Sequence, residues 1–412
     1  MKILHIIRSV NPEGGGPIEG ILQLSSVKKK FGHHIEVLSL DAPDDTFVKE
    51  FPLPVHAMGP GLGIYGYSSK FKPWLAAHAR DYHAIVINGV WQYHSVAARV
   101  VLKTKNLPYH IFTHGMLDPW FKNKYPIKHL KKCLYWLLCE YPVIRDARKV
   151  LFTCEEEKVL ARQSFSLYRC NEQVVNFGTA GHTGDAEGQR ALFLDSFPHL
   201  KGKPFLLFLS RIHPKKGLDM LIQAFAKTSK DHPGLELVVA GPDQVGLQAE
   251  LQQLAEKLSI GDKITWTGML KGDMKWGAYH AAEAFILPSH QENFGIVVAE
   301  ALSCSLPVLI SNKVNIWQEI AEDRAGLVVE DSLPGCMDLI NRWQQMDSQV
   351  KVEMGTNARH CFMDRFEVTQ AALSLLGAID RRSMLSGQSP KTGDRRLATG
   401  NLSPSILVSQ VG

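Results

Sequence analysis

Short apolar runs alternate along this chain with longer segments in which apolar residues recur every three or four positions. In the first part of the chain, the runs predict strands at residues 2–7, 35–40, 84–88, 109–113 and 149–153. Each run is followed by small or polar residues, as at the ends of strands that lead into loops. This alternation predicts an α/β domain built on a parallel sheet.

The same alternation begins again near residue 203. It predicts strands at residues 205–209, 235–240, 263–267, 284–287, 308–310 and 327–329. Helical patterns separate them, at residues 218–228, 247–258, 276–282, 296–304 and 315–321. The sequence therefore predicts a second doubly wound α/β domain, with further helices at residues 334–346, 349–361 and 368–380.

The segment 178–202 is rich in glycine and polar residues, which is typical of a boundary between domains. We therefore expect an N-terminal domain over residues 1–180, a linker over 181–202, a C-terminal domain over 203–361 and a helical segment over 362–382. Residues 383–412 are rich in Ser, Gly, Thr, Pro and charge without sustained periodicity, so we predict a disordered tail.

Composition narrows the class of protein. The 412 residues carry a formal net charge of +5, and no block of Lys and Arg is typical of a nucleic-acid footprint, which argues against nucleic acid as a partner. The seven cysteines are scattered and include no C-x-x-C pair, which favours a reducing cytoplasm and no structural metal. No apolar run reaches the ~20 residues of a membrane span, and the N-terminal run is too short for a signal peptide. We expect a cytoplasmic protein that is soluble or peripheral to a membrane.

Residues 284–300 hold the richest candidate site, because a strand, a polar loop and the start of a helix follow one another. A helix N-terminus offers free N–H groups to phosphate at the carboxyl edge of a sheet. Glu292 precedes the helix and Glu300 lies two turns inside it, roughly 12 Å further along the axis, which is about the reach of a diphosphate. A sugar nucleotide would place its sugar at Glu292, its ribose at Glu300, and its diphosphate at the amides of Asn293, Phe294, Gly295 and Ile296. Glutamates are also common around ordinary helix starts, so the pair alone does not identify a site.

A basic loop follows the first strand of the second domain, with Arg211 and Lys216 at the mouth of the next helix. Two fixed cations can hold a diphosphate and stabilise it as it departs, although a solvated basic loop would show the same residues. The chain contains no D-x-D triplet of the kind that holds Mg²⁺ on a nucleotide, so we expect no metal. Backbone groups at Gly241 and at residues 267–270 would form the nucleoside pocket.

In the N-terminal domain, a glycine loop at residues 14–16 follows the first strand, and Pro17 is well placed to begin a helix that runs to about Lys30. The spacing is not G-x-G-x-x-G, which argues against an NAD-dependent dehydrogenase. Two further strand ends carry chemically rich loops, at residues 88–91 and 114–120. His114 in the second loop fits either a site or a structural role.

Residues 122–148 mix basic and aromatic positions, including Lys128, Lys131, Lys132, Tyr135 and Trp136. Such a helix can lie on an anionic membrane surface. It can equally pack on the sheet with a solvated basic edge. Both interpretations stay open at this stage.

Three motifs, taken together, carry a resemblance to a known family. S-R-I-H-P-K-K-G, A-G-P and P-S-H-Q-E-N-F-G-I-V-V-A-E follow a G-G-G-P loop in the order and spacing seen in glycosyltransferase family 4. These are retaining enzymes of the GT-B fold, in which two Rossmann-like domains face each other across a cleft. The resemblance covers residues 1–380 and is strongest over 205–330.

The resemblance implies roles for single residues. Arg211 and Lys216 would contact the donor diphosphate, Glu292 the donor sugar and Glu300 the ribose. His114 would lie near the transferred sugar, and the glycine loop, with Gly15 and Gly16, would approach the diphosphate or the acceptor from across the cleft. The last helix, within 362–382, would cross back to the N-terminal domain.

The resemblance also implies the reaction and its substrates. A UDP- or GDP-sugar would be the donor, a saccharide or lipid-linked saccharide the acceptor, and neither cofactor nor metal would be needed. The leaving phosphate would accept the proton, so Glu292 would position the sugar. The segment H-G-M-L-D-P-W resembles a branch associated with bacterial surface polysaccharides, which would place the enzyme at the inner face of the plasma membrane.

The chain departs from the family pattern at residues 175–179, where V-N-F-G-T replaces the usual P-N-G-V/I-D turn, so an acceptor or hinge role there does not carry over. Two alternatives share the architecture. A sugar-nucleotide 2-epimerase would convert the donor without an acceptor, and a non-catalytic subunit would bind the nucleotide sugar without turning it over.

Overall fold

The computed structural model describes residues 1–26, 32–120, 122 and 126–380. The predicted disordered tail, 383–412, lies outside the described residues. So do the end of the predicted first helix and part of the basic stretch 122–148, including the side chain of Lys128.

The N-terminal strands are β1 Lys2–Ile6, β2 His34–Ser39, β3 Val55–Ala57, β4 Ala84–Asn88, β5 His110–Phe112, β6 Lys149–Phe152 and β7 Glu172–Val174. In the part of the chain that is described, they form one parallel sheet in the order β3-β2-β1-β4-β5-β6-β7. The central strand β4 is buried along its whole length because helices cover both faces of the sheet. The edge strands β3 and β7 have three half-buried residues each, too few to show in the apolar pattern.

Helices pack on both faces of this sheet. They are α1 Gly16–Ser26, α2 Thr46–Lys49, α3 Phe71–His78, α4 Tyr93–Thr104, α5 Pro126–Tyr135, α6 Tyr141–Asp146 and α7 Glu155–Ala161. A π-helical turn, Trp136–Glu140, joins α5 to α6 and buries both of its end residues. The basic and aromatic stretch therefore contributes one packed end to the N-terminal core.

The second sheet comprises β8 Phe205–Leu209, β9 Glu236–Ala240, β10 Ile264–Gly268, β11 Ala284–Leu287, β12 Val308–Ser311 and β13 Gly326–Val329. Its described strands are parallel, in the order β10-β9-β8-β11-β12-β13. Around it lie α8 Ala186–Ser196, α9 Leu218–Thr228, α10 Gln248–Lys257, α11 Gly272–Ala281, α12 Ile296–Ser303, α13 Trp317–Glu322, α14 Leu333–Gln345 and α15 Ser348–Cys361. The last described helix is α16 Val368–Ile379. The α/β class predicted from the alternation is confirmed for both domains.

Helix α8 lies inside the segment predicted as a linker. Asp185 caps it by accepting a hydrogen bond from the backbone N–H of Glu187 at 3.2 Å. It packs closely on α11, where a Cβ at Gly277 would meet the backbone oxygen of Gln189 at 2.1 Å. This part of the predicted linker is therefore a helix that packs on the C-terminal domain.

Each sheet reverses its strand order at one place, between β1 and β4 and between β8 and β11. Ligands of open α/β sheets bind outside the carboxyl ends of strands at such a switch point, because the loops on either side turn away to opposite faces. In the second sheet, a ligand site is therefore expected at the loops that follow β8 and β11.

Residues 1–379 pack as one unit. Helix α16 belongs spatially to the N-terminal sheet, since Leu375 and Ile379 are buried in one cluster with Ile3 and Val86. Within the described ranges, no helix combines the length and the apolar character that a membrane crossing requires.

Candidate active site

Two loops meet at the switch point of the C-terminal sheet. The first, residues 210–217, leads from β8 into α9, and the second, residues 288–295, leads from β11 into α12. The backbone oxygen of Lys215 accepts hydrogen bonds from the N–H groups of His290 at 2.8 Å and Gln291 at 3.4 Å, and its ammonium donates to Gln291 Oε1 at 2.8 Å. These contacts join the two loops into one surface.

Lys216 and Glu292 form an ion pair across this junction. The Lys216 side chain is only 6% exposed and that of Glu292 19%, so the charges are held in a partly dry site. The backbone of Glu292 is fixed as well, because its N–H donates to Lys313 O at 2.9 Å and its carbonyl accepts from Asn315 N at 3.0 Å. A fixed cation and a fixed carboxylate thus stand side by side where a ligand is expected.

Arg211 lies on the same loop but is exposed, and its guanidinium donates to Gln244 Oε1 at 3.0 Å. The loop after β9 packs against it, since Ile212 N donates to Pro242 O at 2.9 Å. The N–H of Gly241 in turn donates to Gly268 O at 2.8 Å. The predicted nucleoside-binding loops therefore adjoin Arg211, whose guanidinium is held by a neutral partner, Gln244, with no carboxylate paired to it among the described residues.

The start of α12 presents backbone groups alone. Gly295 adopts a left-handed conformation with φ 73°, which turns the chain into the helix. The ring of Phe294 is 5% exposed and packs edge-on against Phe177 at 5.2 Å and Phe366 at 5.5 Å. Phe294, Gly295 and Ile296 can therefore offer a ligand mainly the N–H groups that helix starts leave unpaired.

Glu300 is 6% exposed and has two partners in the protein. Lys275 Nζ donates to its Oε1 at 2.7 Å, and the Tyr279 hydroxyl donates to Oε2 at 3.1 Å. Burial and the nearby Glu300 carboxylate hold the pKa of Tyr279 well above its ordinary value, so the tyrosine stays a donor. The sequence did not indicate Lys275 and Tyr279 as partners of Glu300, because nothing in their spacing links α11 to a glutamate on α12.

Asn293 connects the loop after β11 to the N-terminal domain. Its side-chain amide donates to Thr153 Oγ1 at 3.0 Å and to Glu157 Oε2 at 3.3 Å. It also lies against Gly115, where an added Cβ would meet the Asn293 Cβ at 2.8 Å. Gly115, with φ 71°, thus permits a close approach between the N-terminal domain and Asn293.

Glu157 is the buried carboxylate beneath this junction. Thr113 Oγ1 at 2.7 Å and Gly115 N at 2.6 Å donate to its Oε1, while the backbone and hydroxyl of Thr153 donate to Oε2 at 2.7 Å each. No sequence signal separates it from Glu155 and Glu156, which precede it directly. Only the fold shows that the third of three glutamates faces inward.

His114 follows β5, beside this carboxylate. Its Nε2 lies 3.2 Å from Asn88 Oδ1, and its ring stacks on Phe112 with centroids 5.1 Å apart. Burial lowers the pKa of His114 to about 3, with a smaller contribution from His5. The imidazole is therefore neutral near pH 7 and acts through hydrogen bonds.

Asp118 and Trp120 face the C-terminal loops from the same segment. Asp118 Oδ2 accepts from Gln291 Nε2 at 3.4 Å, and Lys215 Nζ stands 4.8 Å above the Trp120 ring. Burial raises the pKa of Asp118 and lowers that of Lys215. This cluster places N-terminal polar groups next to the Lys216–Glu292 pair.

Gly15 and Gly16 lie at the start of α1, after β1. A Cβ added at either position would meet no described atom within 4 Å. Space for a ligand therefore remains beside this loop, although within the described structure no contact joins it to the Lys216–Glu292 pair.

Each of the two domains matches a glycosyltransferase family model. Residues 190–360 match the family model described as "Glycosyl transferases group 1", and residues 15–175 match a "Glycosyl transferase 4-like domain". D-inositol 3-phosphate glycosyltransferase of Nocardia farcinica is 29% identical over 46% of this chain and 43% of its own length, and that of Gordonia bronchialis 30% identical over 53% and 49%. The matched region thus spans less than half of either relative.

Solved structures match over nearly the whole chain. Sucrose-phosphate synthase from Thermosynechococcus elongatus superposes with a TM-score of 0.72 at 20% identity, covering 94% of this chain and 100% of its own. HepE from Anabaena, solved with UDP and glucose, also gives 0.72, at 18% identity over 94% and 100%. At these identities the likeness establishes the GT-B fold.

Proposed function

The chain belongs to the glycosyl transferases group 1 family, and on that premise we propose that it moves a sugar from a nucleoside diphosphate sugar to an acceptor hydroxyl, with retention at the anomeric carbon. The observation that carries this proposal is the Lys216–Glu292 pair at the switch point, beside the first N–H groups of α12. It offers a cation for phosphate and a carboxylate for sugar hydroxyls within one rigid junction.

In the proposed reaction, Lys216, Arg211 and the amino end of α12 stabilise the negative charge that develops as the nucleoside diphosphate leaves. The acceptor hydroxyl attacks the same face of the sugar, and its proton passes to the departing phosphate. Glu292 holds sugar hydroxyls and orients Lys216. Protein cations supply the charge stabilisation, so we propose a reaction that requires no divalent metal.

Glu300 is proposed to bind the ribose diol. Each carboxylate oxygen already accepts one hydrogen bond, from Lys275 or Tyr279, and keeps a further lone pair for a ribose hydroxyl. The two protein donors would hold the carboxylate still while the nucleoside enters. A UDP-sugar is the first donor to test, because HepE, which shares the fold, is solved with UDP-glucose.

We propose a lipid-linked saccharide acceptor in surface polysaccharide biosynthesis, met at the inner face of the membrane. Support comes from four exposed leucines at helical spacing, here called the leucine stripe: Leu130, Leu134, Leu137 and Leu138, which are 46–73% exposed. Lys131 neighbours them in sequence. An apolar stripe beside basic residues is typical of helices that lie in an anionic membrane surface.

A thermal-shift screen of UDP-, GDP- and ADP-sugars tests the donor. A ligand at ~100 times its dissociation constant adds roughly 2.7 kcal/mol to the free energy of unfolding. The matching donor is then incubated with and without membrane extract, and the products are separated by chromatography. Sugar transferred only with extract supports the proposal, whereas an isomerised donor without extract identifies an epimerase, and the absence of any shift contradicts donor binding.

A further inference from the structure

We propose that Asn88 is a positioning residue that fixes His114 in the tautomer protonated at Nε2, so that Nδ1 accepts a hydrogen bond from a hydroxyl of the bound sugar. The identity of the ligand rests on the proposed function. The tautomer rests on the structure alone.

The orientation of the Asn88 amide follows from its surroundings. Asn88 ends β4 and is 4% exposed. One end of its amide lies 3.4 Å from Ile6 O, 3.3 Å from Val86 O and 3.2 Å from His5 Nδ1. Carbonyl oxygens only accept hydrogen bonds, so this end must be the NH₂ group, and the Asn88 oxygen must face the other way.

The Asn88 oxygen faces His114 Nε2 at 3.2 Å. Because Oδ1 can only accept, Nε2 carries the proton. A neutral imidazole has one N–H, and burial keeps His114 neutral near pH 7. Nδ1 therefore presents a lone pair.

Nδ1 is left for a ligand. It forms no hydrogen bond within the described part of the chain, and it retains some contact with solvent. Phe112 stacks on the ring and Phe177 meets it edge-on at 6.3 Å, which fixes its plane. The next residue, Gly115, lies against Asn293 in the loop after β11. A group that binds Nδ1 there must donate a hydrogen bond, as a sugar hydroxyl does.

Nuclear magnetic resonance of the full chain labelled with ¹⁵N-histidine reads the tautomer directly. We expect His114 to show a protonated Nε2 and an unprotonated Nδ1, unchanged between pH 5 and pH 8. His114→Gln assigns the signals by their loss. A proton on Nδ1, or a titration near pH 6.5, would overturn the proposal, and neither result depends on any enzymatic activity.

The kinetic test uses Asn88→Ala. The freed imidazole should populate both tautomers, and turnover should fall roughly tenfold, the upper range for one hydrogen bond, while free-nucleotide affinity stays unchanged. Asn171→Ala is the matched control, because its amide also donates to a backbone carbonyl, Arg148 O at 2.7 Å, at the opposite edge of the same sheet. If Asn88→Ala does not fold, Asn88→Asp keeps the acceptor and should raise the pKa of His114.

An unchanged tautomer and an unchanged turnover in Asn88→Ala would both contradict the positioning role. If the wild type turns over no nucleotide sugar, the proposed function is contradicted. The tautomer of His114 is still decided by the spectrum, because that measurement does not depend on activity.

Discussion

The side-chain amide of Asn293 lies 3.3 Å from the carboxylate of Glu157, and this contact joins the loop after β11 to the N-terminal domain. The same carboxylate accepts the N–H of Gly115, the residue next to His114. One buried acid therefore sets the position of groups on both sides of the cleft.

Glu157→Gln should lower the free energy of unfolding by about 1–3 kcal/mol, because the new NH₂ group would face donors and leave them without an acceptor. Urea unfolding measures the change. Glu155→Gln is the control, since Glu155 is exposed and pairs with Lys158 alone among the described residues, so its loss should cost less than about 1 kcal/mol. An equal loss of unfolding free energy in the two variants would contradict a stabilising role for the buried Glu157 carboxylate.

Lys216→Ala and Arg211→Ala should each lower transfer on the order of 10²-fold, as expected when one charge contact to the departing phosphate is lost. Lys227→Ala, an exposed cation on the following helix, should leave transfer unchanged. Steady-state kinetics with and without EDTA complete the test. A strict requirement for Mg²⁺ in the chemical step would contradict the proposed role of the protein cations.

The two glutamates should separate in calorimetry. Glu300→Gln should weaken the binding of donor and free nucleotide alike, whereas Glu292→Gln should spare free nucleotide and reduce turnover. Lys275→Met should resemble Glu300→Gln, because the carboxylate then loses the ammonium that orients it. Equal loss of nucleotide affinity in the Glu292 and Glu300 variants would mean that the sugar end of the site is misplaced.

Glu140 should make stability depend on pH. Burial raises the pKa of its carboxyl to about 7, and Trp91 N and Ser95 Oγ both donate to Oε1, which leaves Oε2 for the proton. The folded chain keeps this proton between about pH 4.5 and 7 while the unfolded chain loses it, so this contribution to stability falls as pH rises through that window. Glu140→Gln, which stays neutral, should therefore be the more stable protein at pH 8, by on the order of 2–3 kcal/mol.

Urea unfolding of the wild type and Glu140→Gln at pH 5 and pH 8 isolates this group, because other titrations cancel in the difference. A difference between the two proteins that does not change with pH would show that Glu140 ionises normally.

Membrane attachment should depend on charge and salt. Wild type should sediment with anionic vesicles at low salt, and Lys128/Lys131/Lys132→Gln should sediment less, since each lysine near such a surface contributes about 1 kcal/mol. Lys227/Lys230/Lys257→Gln removes the same charge from the other domain and serves as the control. If wild type stays in the supernatant at low salt, the basic stretch is scaffold and the acceptor is more simply a soluble saccharide.

The sequence predicted the strands on which the site is built almost to the residue. Phe205–Leu209 and Ala284–Leu287 coincide with the predicted runs, because buried parallel strands are continuously apolar and end at polar loops. The sequence also predicted that Lys216 and Glu292 each follow the carboxyl end of a strand. That β8 and β11 are neighbours, and that the two side chains form an ion pair, are findings of the structure.

Contacts between elements distant along the chain were beyond the sequence. Lys275 meets Glu300, and Asn293 meets Glu157, only through the packing of helices and domains. The tautomer of His114 depends on two backbone carbonyls beside Asn88, which no pattern of side chains can show. The sequence did not predict the short edge strands β3 and β7, because three half-buried residues have no pattern that distinguishes them from a loop.

The packing of α16 on the N-terminal sheet bears on how the protein is made. Ile3, Val86 and Leu151 are translated before the second domain, yet the Leu375 and Ile379 side chains that share their cluster are translated after it. Domains generally fold as units during synthesis, starting from the N-terminus. Here the first domain must wait, with part of its apolar surface uncovered, until translation has passed through the whole of the second.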